Sequence, residues 1–215
     1  RVFSWNFFST PQNERNNRRL HTPRGKALGG SSSMNSMIYI RGDASDYDRW
    51  AALGCTGWGW HDVLPLFKKS ERNLLGQSQA LHGTQGELVV DRARDPNPLS
   101  RLFVSAAEKL GIRRNDDFNG GELEGCGIYN LTQKDAKRLS SYRAFVAPIR
   151  ERSNLTVLTG CEVDSLIVEG QRVSGVALRV DGESLRLGCR CEVILCAGAL
   201  GSPQILLNSG IGPRA

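Results

Sequence analysis

The sequence has no long apolar run: the longest, VILCAGAL from Val193 to Leu200, falls far short of the ~20 residues that span a bilayer, so no transmembrane segment is expected. Histidine is scarce, and His21, His61 and His82 stand at no ligand spacing from any cysteine, which argues against a metal centre. Three signatures are missing: the complete P-loop, the Gly-x-Gly-x-x-Gly fingerprint and the Gly-x-Ser-x-Gly elbow. A self-contained nucleotide enzyme or serine hydrolase is therefore not expected. No internal repeat or low-complexity tract occurs. The chain opens on Arg1 rather than Met and ends at Ala215 just after a glycine-proline turn, with no signal peptide, so both ends are expected to be cut from something longer.

What is present is ordinary globular composition, 40% hydrophobic and 23% charged over 215 residues. A compact chain of that size buries roughly 70% of its unfolded surface, enough for a sizeable core. The net charge of +6 comes from 28 basic against 22 acidic residues spread along the chain. The densest basic group, Arg15, Arg18, Arg19, Arg24 and Lys26, runs into glycine and serine rather than interleaved aromatics, so no nucleic-acid partner is expected. A solvated face, with one or two positive charges near an anionic cofactor, fits better. The six cysteines (Cys55, Cys126, Cys161, Cys189, Cys191 and Cys196) are not needed as a disulfide framework in a chain with this apolar content, and a reducing, cytoplasmic setting follows.

Residues 1–23 read as an extended arm, and Arg24 to Gly42 as a glycine-serine loop leading into a short helix. Ser45 or Asp46 can cap a helix through Leu53, and Asp62 another to about Glu71 with Pro65 in its first turn. Leu88 to Val90 is an expected strand. Asn97-Pro98 opens the clearest helix, whose face of Leu99, Leu102, Phe103, Ala106 and Leu110 is expected to be core, with Gly111 stopping it. Asp116 to Gly127 reads as a loop and Ser140 as the cap of a short helix before Pro148. Strands are expected at Leu155 to Leu158, Cys161 to Val168, Val173 to Val180, Glu183 to Leu187 and Val193 to Cys196. Asp181-Gly182 marks a type I′ hairpin within an antiparallel meander. Ser202 and Pro203 would begin the last helix.

Two bends can present backbone amides to an anion. In Gly29-Gly30-Ser31-Ser32-Ser33, residues without side chains allow close approach and three hydroxyls add donors. Ala197-Gly198-Ala199-Leu200-Gly201-Ser202 lies between an apolar strand and a helix N-terminus, where the dipole favours negative charge. Read locally, each is first of all a plain turn joining two elements.

Taken together and in order, RGKALGGSSSMNSMIYIRG (Arg24 to Gly42) and GALGSPQILLNSGIGP (Gly198 to Pro213) resemble the two signatures of the glucose-methanol-choline oxidoreductases. DYDRWAALGCTGWGW, LHGTQGELVV, KRLSSYRAFVAPI and NLTVLTGCEV resemble linking segments of the bacterial alcohol and choline dehydrogenase branch. The resemblance covers essentially the whole chain. It implies a mixed α/β fold: part of an FAD-binding Rossmann-like domain, an inserted antiparallel meander and part of a substrate cap. Residues 1–45 would form the cofactor loop region, 46–128 the cap segment and 129–215 the second FAD-binding segment.

By position, the resemblance places Leu28, Gly29, Gly30, Ser31 and Ser32 along the diphosphate and flavin, and Asn35 and Met37 near the isoalloxazine. Val163 would meet the adenine through its backbone, and Ala197 and Gly198 would lie at the adenosine end. Where some members carry a flavin-linking histidine this chain has Met34, so FAD is expected to be held non-covalently. The implied reaction is hydride transfer from a small primary alcohol, choline among them, to flavin, with a quinone or oxygen as electron acceptor and peripheral membrane association left open. The resemblance puts the catalytic pair, a histidine with a second histidine or an asparagine, in a C-terminal half absent from these residues, and no catalytic residue is expected here. The rival reading is a non-catalytic nucleotide-binding or interaction module derived from the same fold.

Overall fold

A computed structural model describes residues 3–213, and the chain divides into two compact units, Arg1–Arg152 and Ser153–Ala215. In the first unit, strands β1 (Phe7–Phe8) and β2 (His21–Thr22) pair antiparallel. The expected arm is thus a two-stranded ribbon. Helix α1 (Ala44–Ala52) begins two or three residues earlier than Ser45 or Asp46 would allow as caps. Asp43 is its N-cap, and Asp46 returns the bond in a capping box. Helix α2 (Trp60–Ser70) starts from Gly59, with Asp62 accepting from the Gly59 amide, so Pro65 is inside the helix rather than in its first turn.

Chain reversal after α2 gives β3 (Glu71–Asn73), parallel to β4 (Leu88–Arg92). Strand β5 (Asn130–Lys134) joins β4 antiparallel, and β6 (Lys137–Arg138) closes the sheet as a hairpin on β5. Val63 of α2 and Val89 and Val90 of β4 are buried; as neighbours on a strand Val89 and Val90 point to opposite faces, so both faces of β4 are covered there.

Helix α3 (Pro98–Lys109) begins as expected, with Asn97 Oδ1 accepting from the Leu99 amide at 2.9 Å and Pro98 at the first position. Truncating this cap, Asn97→Ala, is expected to cost about 1 kcal/mol, measurable as a shift in the denaturant midpoint; no shift would show the cap to be idle. The stripe, however, is not core: Leu99, Phe103 and Leu110 are 71%, 72% and 82% exposed, whereas Val104 and Ala107 are buried. Periodicity marks a face that wants covering, and among the described residues nothing covers it.

The second unit is built on the expected meander. Strands β7 (Cys161–Glu169), β8 (Arg172–Val180) and β9 (Glu183–Gly188) form an antiparallel sheet. Asp181 and Gly182 have φ of 50° and 90°, the signs a type I′ turn needs. Helix α4 (Gly198–Asn208) follows, with Ala197 as N-cap and Pro203 inside it. The start expected at Ser202 is therefore too late; the Ser202 hydroxyl instead accepts from the Ala197 amide at 3.0 Å. Leu166, Leu178 and Ile205 are the buried apolar residues of this unit. Leu155 to Leu158 and Val193 to Cys196 form no strand. A strand exists by pairing, and among the described residues neither segment has a ladder partner.

Candidate cofactor site

The first signature folds into a tight turn ending in a 3-10 segment, Gly30–Ser33. Gly29 and Gly30 take φ of 89° and 53°, the left-handed region that side chains rarely enter. Two of the three hydroxyls, those of Ser32 and Ser33, are spent inside the turn. Ser32 Oγ donates to the Gly29 carbonyl at 2.5 Å and Ser33 Oγ to the Leu28 carbonyl at 2.7 Å, while Ser31 Oγ accepts from the Gly25 amide at 3.0 Å. The serines therefore hold the turn. Among the described residues the Gly29 and Ser31 amides have no protein acceptor, and a Cβ built on Gly30 meets nothing within 4 Å. Leu28, Gly29, Gly30, Ser31 and Ser32 thus form one continuous bend with free N–H groups and open space beside it. That chemistry suits the diphosphate of a dinucleotide.

Beyond the turn the chain from Ser36 to Arg41 is neither helix nor named strand, and it is held from outside. Asn35 Oδ1 accepts from Arg138 Nη1 at 2.9 Å, and the same guanidinium nitrogen reaches the Ser32 carbonyl at 3.2 Å. Met37 has φ of 63°, an uncommon conformation for a residue with a side chain. Its amide donates to Asn35 Oδ1 at 3.0 Å, and its carbonyl accepts from the Thr132 amide at 2.7 Å and Thr132 Oγ1 at 3.1 Å. Ser141 also joins the turn, its amide donating to Ser32 Oγ at 2.9 Å. Sequence reasoning did not single out Arg138, Thr132 or Ser141. Arg138 and Ser141 lie in KRLSSYRAFVAPI, the one signal that could have drawn attention to them.

The second unit places the remaining candidates separately. Val163 sits on β7 opposite Leu178, immediately before a register shift. The end of α4 is tied to β7, with Ser209 Oγ accepting from the Leu166 amide at 2.8 Å and Asn208 Nδ2 donating to the Asp164 carbonyl at 3.1 Å. Ala197 and Gly198 stand at the other end of α4. Gly198 has φ of 83°, and a Cβ there would meet nothing within 4 Å. This helix N-terminus offers amides and a favourable dipole to an anion.

A third feature had no sequence signal. Arg41, Glu71 and His82 are buried, and with Asp117 they form a chain of charges in the first unit. Arg41 Nη2 lies 2.6 Å from Glu71 Oε2, His82 Nδ1 is 2.9 Å from Glu71 Oε1, and His82 Nε2 is 3.0 Å from Asp117 Oδ2. Burial alone would lower the His82 pKa, but its hydrogen bonds to Asp117 and Glu71 outweigh that and raise it to about 9. Burial likewise pushes the two carboxyls up, but bonds from His82 and from the Gly83 and Asn119 amides, with the charges of Arg41 and His82, together outweigh it and hold Glu71 and Asp117 below their ordinary range. Both imidazole nitrogens are engaged by carboxylates, so His82 is not disposed to exchange a proton with a substrate. Among the described residues no group of His, Cys, Asp or Glu could hold a metal.

A mixed α/β chain with an amide-lined bend and a glycine-led helix N-terminus has the character of a cofactor-cradling domain of an oxidoreductase. The chain belongs to the glucose-methanol-choline (GMC) oxidoreductase family, whose model matches residues 8–215. It is 42% identical to an alcohol dehydrogenase (acceptor) of Pseudomonas putida over 99% of this chain and 39% of that protein. An oxygen-dependent choline dehydrogenase of Sinorhizobium fredii is 39% identical over 99% and 38%. Among solved structures, pyridoxine 4-oxidase from Mesorbium loti matches with a TM-score of 0.91 at 35% identity, over 99% of this chain and 42% of that one. An FAD-dependent oxidoreductase from Chaetomium thermophilum matches with the same TM-score at 29% identity, over 99% and 39%. The chain therefore spans about two-fifths of the length of the relatives it matches, and what it holds is part of the family's FAD-binding domain.

Proposed function

We propose that these residues cradle FAD, non-covalently, in an enzyme that oxidises the CH–OH group of a small primary alcohol. The observation that carries the reading is the Leu28 to Ser32 bend, whose unpaired amides and missing Cβ leave room for a diphosphate. FAD, when bound, supplies the hydride acceptor. Gly29 and Ser31 would hold its diphosphate through the main chain. Asn35 and Met37 would border the ring, with Arg138 orienting the Asn35 amide. Val163, Ala197 and Gly198 would take the adenosine end. On this reading residues 1–45 and 129–215 serve the cofactor and 46–128 belong to the cap. No described helix is long and apolar enough to cross a membrane.

The protein produced with its whole reading frame is expected to carry flavin absorbance that primary alcohols bleach. Because Met34 has no imidazole to form a covalent link, denaturation is expected to release all the flavin into the filtrate. Colour remaining on the unfolded polypeptide would refute the non-covalent reading, and a colourless protein would refute the cofactor itself.

A further inference from the structure

The buried charges of Arg41, Glu71, His82 and Asp117 have no part in the function proposed above. They sit at the far end of the segment whose near end carries Asn35 and Met37. The near end is held by Arg138. The middle is held by Thr132 on the Met37 carbonyl, by a bridge between Ile38 and Leu131, and by the Tyr39 amide on the Asn130 carbonyl at 2.9 Å. At the far end the Arg41 amide donates to Asn119 Oδ1 at 2.7 Å, and its guanidinium reaches Glu71 and, at 2.7 Å, the Leu81 carbonyl. Met37 and Arg41 are four residues apart, roughly 13 Å at full extension. A left-handed non-glycine residue persists only where its surroundings over-determine it, and here the determination comes from both ends.

We infer that Arg41, Glu71 and His82 are positioning residues: by fixing the far end of this segment they fix the backbone of Met37 and the side chain of Asn35. The inference rests on the placement of those two residues beside the flavin. His82 faces Glu71 and Asn73 from β3 and Asp117 from the 116–127 loop, while Arg41 of the segment itself, which also reaches the Tyr39 hydroxyl, meets it through Glu71. Lys68 and Lys69 of α2 line the groove that His82 borders. While His82 is protonated, two cations balance two carboxylates. Its proton is lost near pH 9, and Tyr39, raised by burial above its usual 10, is still neutral then. Neutral His82 keeps one N–H for two carboxylates, so its bond to Glu71 or to Asp117 is lost and Glu71 is no longer fixed in place beside Arg41.

The test uses the whole-frame holoenzyme and the variants His82→Gln, Glu71→Gln and Asp117→Asn. The visible spectrum and dissociation constant of the flavin are followed from pH 6 to 10, with a thermal melt at each pH. The 13C-labelled ε-methyl signal of Met37, assigned with Met37→Leu, is followed over the same range. Expected in the unaltered protein is a step near pH 9 in both flavin affinity, tenfold or more, and the Met37 signal. That step should vanish in His82→Gln and move to lower pH in Asp117→Asn. Melting temperatures that fall while the Met37 signal and the flavin spectrum keep one unchanged pH profile would overturn the inference, leaving the cluster only a fold-stabilising role. A protein that binds no flavin would sink the cofactor reading, and the Met37 titration would still decide the positioning role.

Discussion

Replacing Glu71 by alanine is expected to lower stability by about 3–5 kcal/mol, because it strands the buried cations Arg41 and His82 without their shared carboxylate. Glu71 is 0% exposed and accepts from Arg41, His82, Asn73 and the Gly83 amide, so neither water nor a neighbouring acid can stand in. Glu71→Gln keeps the volume and one acceptor oxygen, and should fall between the two. Urea denaturation at pH 7 reads the difference, and a loss below about 1 kcal/mol would show the cluster to be solvated. The same linkage gives stability a pH window. His82 is raised from 6.5 to about 9, so its contribution is complete below about pH 6.5, declines above it and is gone once pH has passed about 9. That amounts to something on the order of 3 kcal/mol. Glu71 and Asp117 are lowered from 4.5 and 3.8. Their contributions are complete above those values and disappear as pH falls through the lowered ones. Maximum support from the cluster therefore lies at mildly acidic pH, about 5 to 6.5.

Gly25→Ala is expected to have the second large effect, on flavin content rather than stability alone. A Cβ at Gly25 would press into the carbonyl group of Gly30 and come within 2.6 Å of the Ser31 amide nitrogen. These are main-chain atoms of the very bend proposed to carry the diphosphate, so the bend must open. The Gly25 amide would also lose its aim on Ser31 Oγ. The variant should retain a tenth or less of the flavin per polypeptide, since losing the aligned amides forfeits at least about 1.4 kcal/mol of binding. Full flavin occupancy in Gly25→Ala, read by absorbance ratio, would dissociate the turn from the cofactor.

Local chemistry was legible in the residues themselves. The Asn97-Pro98 helix start and the Asp181-Gly182 turn depend on atoms within four positions of one another, and both stand where they were expected. The three-stranded meander followed because that turn and the short β-branched runs set a register between neighbours in sequence. The serine hydroxyls were misjudged, since composition counts donors without telling where they point: those of Ser32 and Ser33 are spent on the turn's own carbonyls. The α3 stripe was read correctly as apolar and wrongly as covered, because a periodic face does not name its partner.

By itself the sequence determined the two bends, whose geometry is written into consecutive residues, and, through the resemblance of its two signatures, the family and the cofactor class. Only the tertiary structure decided what holds those bends. Arg138 and Thr132 reach Asn35 and Met37 across about a hundred positions, and Arg41, Glu71, His82 and Asp117 meet though dispersed along the chain. Contacts between distant residues depend on how strands and loops are stacked, and burial then turns ordinary surface-type charges into a network whose energies no local pattern foretells.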